Sequence, residues 1–396
     1  MISTSCKAFT RWHALAGVLA ILAAVLGLIA VATNLAPWYA LVREPVLTVS
    51  LGALSLGRPL AAWINQMLMT GILFLTGLEC KRAFVDGELS GPERLRLPLA
   101  AALGGMTVSA AIHFAFGGGD PNQQTAWVAT LGMDMALGLA ALSWLGDRVP
   151  GALKVFFATA AMFSVLAGAV LMAVVLAPPF SWPAMAVAGL CLGLLACMNR
   201  GGVRSVSLYL FPAVVAWVVL ADCAVHAALV GPLLACCIPA QGRDGTGSVL
   251  HGLERDLLPL VCLISYPVLV FVNIGALSGE EPWDASAGIW FMQAALGLFP
   301  GKALGVFGVI WALVRLRICA LPAGVGWKEM GATATLCGAG MVPGLYALAL
   351  VPGPGTAQLE AARAGIVAGS FVSMALGFFL LRQALSRRRN KVMQRL

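Results

Sequence analysis

The chain has 396 residues, 60% of them hydrophobic and 11% charged, with a formal net charge of +8 and a mean hydropathy of +0.91. So little charge excludes an ordinary soluble domain, in which roughly a quarter of residues are charged. The basic excess does not point to nucleic acid either, because it lies in short loops between apolar runs and in the tail Arg387-Arg388-Arg389-Asn390-Lys391, as expected beside an anionic membrane surface.

The apolar runs are long and do not alternate, so backbone groups in lipid must be satisfied within helices. Twelve spans are expected, over 12–33, 59–78, 97–116, 125–145, 152–177, 181–198, 206–220, 223–239, 257–277, 286–313, 328–350 and 359–381. The first is too long for a signal-peptide core and reads as a span. An even count puts both termini on one side. With that side cytoplasmic, inside segments hold 21 Lys and Arg while outside loops hold only Arg43, Arg58 and Arg363. That bias predicts a multi-pass inner-membrane protein with both termini in the cytoplasm. Residues 1–386 read as one transmembrane domain and 387–396 as a basic cytoplasmic tail. The first outside loop, 45–57, is β-branched and glycine-punctuated, and reads as a short hairpin or an irregular loop.

Ten cysteines are scattered through the apolar runs without C-x-x-C spacing, which predicts reduced packing residues, with no disulfide and no metal site. Two soluble motifs fail on their context. Gly297 to Ala303 resembles a phosphate loop but is one residue short and has Ala where Ser or Thr should bind magnesium. Gly338-Ala339-Gly340 sits inside an apolar helix with no preceding strand. No constellation suggests an enzyme or a cofactor.

Few ionisable residues lie deep. Asp134 is in mid-span in the fourth apolar run and Lys302 in the tenth, while His113, His226 and Asp222 are within or at the end of others. A carboxylate and a lysine at similar depth suggest either a proton and cation relay or a structural ion pair between helices. The two histidines read as interhelical hydrogen bonds. Pro300-Gly301 stands directly before Lys302, and Gly338 to Gly344 interrupts the eleventh run. Broken spans, with freed carbonyls and helix ends at mid-depth, are a transporter pattern.

Several stretches carry a family resemblance. These are Trp63-Ile64-Asn65, Gly77 to Arg82 with Asp86-Gly87-Glu88-Leu89, Ala102 to Met106, Gly146 to Lys154, Val225-His226-Ala227, Gly301 to Gly305, Leu336 to Gly340 and Ala364 to Ser370. In collinear order they resemble the NhaA sodium/proton antiporters over nearly the whole chain. The resemblance implies an all-α polytopic membrane protein of twelve transmembrane helices, with an inverted repeat relating spans three to five to spans ten to twelve. The fourth and eleventh helices would be discontinuous and crossed. It also implies exchange of sodium or another monovalent cation for protons, a part in pH and sodium homeostasis, and a homodimer through the outside hairpin. Glu79, Lys81, Arg82 and Glu254 match positions that the family uses in pH response.

The departures fall at the ion site. Thr-Asp of the family's fourth span is Met133-Asp134 here. The two adjacent aspartates of its fifth span fall on Ser164 and Val165, the aspartate of its second span on Gln66, and Gly-Phe-Thr-Met-Ser of its eleventh on Gly340 to Gly344. The ion- and proton-binding candidates are therefore Asp134, Lys302 and Ser164. Lys302 is expected either to pair with Asp134 or to be neutral near physiological pH. Ser164 also has a local reading, in which its hydroxyl bonds the Ala160 carbonyl and it shares a packing face with Gly168. An alternative for the whole chain is a transport-incompetent homologue acting in membrane assembly or regulation. A third reading is a cavity converted to an anion or neutral solute.

Overall fold

The computed structural model describes residues 4–51, 54–86, 91–116, 125–176, 182–221, 224–240, 248–274, 284–351 and 357–393. Asp222, residues 87–90 and the side chains of His226 and of the tail from Arg388 onward lie outside them. Among the described residues, ten helical stretches are long and apolar enough to cross a membrane, and Val206–Val219 and Ala227–Cys237 are shorter apolar helices. The protein is an all-α polytopic membrane protein.

The chain begins with α1 (Thr4–Ala32) and a short α2 (Ala36–Arg43). A two-stranded antiparallel hairpin follows, β1 (Val46–Leu51) with β2 (Leu54–Pro59), in which Val46 pairs with Pro59 and Leu51 with Leu54. Next come α3 (Leu60–Val85), α4 (Pro92–Ala115), a 3-10 turn (Trp127–Thr130), α5 (Met135–Trp144) and α6 (Gly151–Val175). The peripheral α7 (Trp182–Arg200) and α8 (Val206–Val219) lead to α9 (Ala224–Cys237). Then α10 (Val249–Leu260) runs through a π-turn into α11 (Tyr266–Ile274), and α12 (Ala285–Leu296) through another into α13 (Lys302–Arg315). Last are α14 (Trp327–Leu336), α15 (Met341–Leu350) and α16 (Ala357–Met393).

Side-chain caps start these helices where the sequence supplies them. Asp284 accepts the Ala287 N–H at 2.7 Å at the start of α12, and Ser248 accepts the His251 N–H at 3.3 Å at the start of α10. Burial marks the centre. Most residues of α5, α14 and α15 are buried, whereas α7 and α8 expose Leu190, Phe211 and Trp182, as a face toward lipid would.

Glycine lets helices touch where the site requires it. A Cβ on Gly104 of α4 would stand 2.7 Å from the Gly305 carbonyl oxygen of α13, so this crossing is backbone against backbone, as small residues allow in membranes. Proline at position 300 does not break its helix. Residues Gly297–Gly301 widen into a π-turn, and the Gly297 carbonyl accepts the Ser109 hydroxyl of α4 at 2.6 Å. The expected interruption before Lys302 is therefore a π-bulge, whose Gly297 carbonyl faces a hydroxyl of a neighbouring helix.

Candidate ion site at the crossing of two broken helices

Two apolar stretches are interrupted at mid-length. One has non-helical backbone between the 3-10 turn and α5, at residues 131–134, and the other between α14 and α15, around 337–340. The reasons are local. An aspartate prefers the cap of a helix to its interior, and Asp134 has extended backbone and caps α5. In the second break Gly338 and Gly340 tolerate opened backbone, and Pro343 falls in the first turn of α15, where a missing N–H costs nothing.

The breaks lie against each other. The Asp134 N–H donates to the Ala339 carbonyl at 2.7 Å. Its carboxylate, 1% exposed, accepts the Leu137 N–H at 3.2 Å on one oxygen and the Val342 N–H at 3.1 Å on the other. One side chain thus holds the N-terminal ends of two half-helices, α5 and α15, where unsatisfied N–H groups concentrate positive charge.

Lys302, fully buried, opens α13 immediately after the π-turn. Its Nζ donates to the Gly132 carbonyl and lies beside Gly340. Lys302 and Asp134 make no ion pair with each other. Of the two expectations for Lys302, pairing with Asp134 is corrected, because its Nζ finds a carbonyl freed by unwinding, two residues before Asp134. Ser164 is corrected too. Its hydroxyl donates to the Leu131 carbonyl at 2.8 Å and not to Ala160, because that carbonyl has lost its helical partner. Gly168, one turn on, packs against Leu131 and Gly132 as expected of a small-residue face. One broken stretch, 131–134, therefore gathers all three candidates: Leu131 offers its carbonyl to Ser164, Gly132 to Lys302, and Asp134 supplies the carboxylate. On the far side Ser370 accepts the Gly340 N–H at 3.2 Å.

The other candidates lie away from the crossing. Glu79 stands 2.8 Å from Nε2 of His13 and Arg82 3.1 Å from Glu254. Lys81 closes the end of α9, donating to the carbonyls of Cys236 at 2.7 Å and Ile238. Glu79 and Arg82 line a small cavity of about 40 Å³ with Lys154, Thr159 and Met162. His13 is the residue that sequence reasoning missed; a lone histidine inside the first apolar run is the signal that could have found it. Gln66 is buried, and its amide has no hydrogen-bond partner among the described residues, while its neighbour Asn65 exchanges amide hydrogen bonds with Asn273 at 2.9 and 2.7 Å. His113 is buried, and its backbone carbonyl accepts the Gln293 amide at 3.0 Å.

Buried ionisable side chains at two crossed, interrupted helices define the class of membrane transporters with discontinuous spans. Comparison with known proteins narrows the class. The family model described as Na+/H+ antiporter 1 matches residues 7–381. A Pseudomonas putida protein named Na(+)/H(+) antiporter NhaA 1 is 37% identical over 374 residues, 93% of this chain and 94% of that one. The NhaA antiporter of Pseudomonas fluorescens is 36% identical over 386 residues, 96% of this chain and 98% of its own length. That of Shewanella amazonensis is 34% identical over 379 residues, 95% and 96% of the two chains. This chain belongs to the Na+/H+ antiporter 1 family.

Proposed function

We propose that the protein is a secondary transporter of the inner membrane that exchanges sodium, or a related monovalent cation, for protons. The observation that carries this reading is the competition built into residues 131–134. The Gly132 carbonyl and the Asp134 carboxylate are hard oxygen donors of the kind a small cation seeks. The carbonyl is already occupied by Nζ of Lys302. A cation that takes this oxygen must displace a charged lysine or follow its deprotonation. Cation entry and proton departure are thereby linked at one atom. On the return, protonated Lys302 takes the carbonyl back, and Asp134 again holds the Leu137 and Val342 N–H groups.

Ser164 serves this cycle by fixing the Leu131 carbonyl, and so the shape of the break. The architecture that goes with it has twelve spans, the two shorter apolar helices included. Its inverted repeat is supported by the recurrence of one pattern: long α4, broken 127–144 and long α6, then long 285–315, broken 327–350 and long α16. Residues 1–386 form the single transport domain. Both termini are cytoplasmic by the distribution of basic residues. Glu79, Arg82 and Glu254 shape the pH response at the cytoplasmic cavity, with Lys81 holding α9 to α3 beside them. Dimerisation through the hairpin is supported by its exposed Val46 and Leu47.

Sodium-driven collapse of a pH gradient in proteoliposomes tests the reading. Activity with Na⁺ or Li⁺ that Asp134→Asn abolishes is the expected result. No cation-driven proton movement between about pH 6 and pH 9 contradicts it and favours the transport-incompetent alternative.

A further inference from the structure

The last helix turns one face toward the second break. Gly365, Gly369, Ser373 and Gly377 recur at every fourth residue of α16, a spacing of small residues that lets membrane helices approach closely. The glycines pack on neighbouring helices. Gly365 meets the Phe291 carbonyl, a Cβ on Gly369 would stand 2.9 Å from the Ala295 carbonyl oxygen, and Gly377 packs on Leu336. Ser373 stands where this face passes the opened backbone of 337–340. Packing alone does not call for a hydroxyl there. Ser373 is fully buried, and its Oγ has no hydrogen-bond partner among the described residues. A buried serine or threonine of a membrane helix can bond the carbonyl four residues back, as Thr76 and Thr333 do with those of Ile72 and Glu329 at 2.9 and 2.8 Å. Ser373 makes no such bond, and a buried hydroxyl left unmet is unfavourable where alanine or glycine would fill the space.

Other oxygens gather beside it. Ser373 Oγ and the Leu298 carbonyl oxygen both lie within 2.6 Å of the point where a Cβ on Gly338 would stand, so glycine leaves them facing the break. The Lys302 N–H, which a regular helix would send to Leu298 four residues back, donates to the Phe299 carbonyl instead. One turn before Ser373, Ser370 Oγ accepts the Gly340 N–H at 3.2 Å. The Gly132 carbonyl oxygen is 2.6 Å from where a Cβ on Gly340 would stand. Between the two glycines, Ala339 accepts the Asp134 N–H at 2.7 Å. Two hydroxyls and two carbonyls thus line residues 338–340, next to the segment that carries Asp134.

We infer that Ser373, with Ser370 and the Leu298 carbonyl, forms a station of neutral oxygens at the second break that holds a small, dehydrated monovalent cation. The inference rests on the proposed exchange activity, and it names ligands that stand in for the carboxylates missing at Ser164 and Val165. Hydroxyl and carbonyl oxygens suit a hard cation. Held by them beside one ionised aspartate and a neutral lysine, a single cation leaves no net charge in the apolar interior. Lys302, whose Nζ lies beside Gly340, repels a cation here while it carries its proton, so the station belongs to the deprotonated half of the cycle. A serine that merely completed the packing face would leave cation affinity unchanged when replaced.

The test compares full-length wild type with Ser373→Ala, by thermal unfolding in detergent with and without sodium and by sodium- and lithium-driven proton flux in proteoliposomes. Without sodium the variant should melt at or above the wild-type temperature, since it loses a hydroxyl that had no partner. The expected results with cation are a weaker stabilisation by sodium, a roughly fivefold or greater rise in the KM for sodium with a smaller change in kcat, and an altered ratio of lithium to sodium KM. Ser373→Ala with wild-type KM values and wild-type stabilisation by sodium overturns the station. If Ser373→Ala does not fold, Ser373→Gly, which makes the small-residue face all glycine, decides in the same way. A wild type that sodium stabilises but that exchanges nothing contradicts the antiport reading alone, and the stabilisation then decides the station. A wild type that neither exchanges nor is stabilised by Na⁺, Li⁺ or K⁺ overturns both.

Discussion

Asp134 is asked to do two things, and substitution separates them. Its two oxygens accept one N–H from each half-helix, whereas an asparagine has a single acceptor oxygen and leaves one buried N–H unmet, at about 1–3 kcal/mol. Asp134→Asn should therefore lower the melting temperature in detergent as well as abolish exchange. Ser164→Ala removes one hydrogen bond to Leu131 and should cost about 1 kcal/mol while leaving sodium-driven flux within a few-fold of wild type. A hundredfold loss of flux in a stable Ser164→Ala protein would instead make the hydroxyl a direct cation ligand. Lys302→Met keeps the volume and loses the donor to Gly132. The competition for that carbonyl then disappears, and sodium binding, read by thermal stabilisation, should lose much of its pH dependence while exchange falls.

Among helices, energies follow from how closely backbones approach and how charges are paired. Gly104→Leu forces a side chain into Val309 and the Gly305 carbonyl, an overpacking of about 1–3 kcal/mol or more, visible as a lowered melting temperature. Arg82 and Glu254 are 11% and 6% exposed. Arg82→Gln alone leaves a buried carboxylate and should destabilise by about 3–5 kcal/mol, while the double change with Glu254→Gln recovers much of that. Outside the membrane, Asp284 caps α12, and the Ala287 N–H and then the Ser286 hydroxyl hold its carboxyl below the usual range. A depressed folded value means that this cap is fully present above the unfolded aspartate range and is lost as pH falls through the folded value. Asp284→Asn should remove an acid-side change in stability below about pH 4 and leave neutral pH unaffected.

What was legible at this level depended on chemistry that shows in side chains. Asp134 in an apolar run and Gly338 with Gly340 announce interruptions, because a cap former and opened backbone are poor helix interiors. Pro300 announced one as well, but a π-turn over Gly297–Gly301 absorbs it and the helical path continues. The partners of Lys302 and Ser164 are backbone carbonyls, which every residue carries and no residue type marks. From side chains alone Lys302 was expected either to pair with Asp134 or to be neutral, and the freed Gly132 carbonyl takes the place of that pairing.

For the whole molecule, the membrane class follows from hydropathy and charge placement alone. The arrangement of helices around the crossing does not, because it rests on contacts such as Gly104 with Gly305 and Gly17 with Ala136 that no single run reveals. The same packing brings the cavity, the His13–Glu79 pair and Asp134 into succession along the protein, from one surface to its centre. The central claim is that a cation and a proton contend for the oxygens of residues 131–134. The most direct measurement is sodium-driven collapse of a pH gradient in proteoliposomes, with wild type beside Asp134→Asn. The account predicts rapid collapse with wild type and none with the variant. Equal collapse by both, or none by wild type, would contradict it.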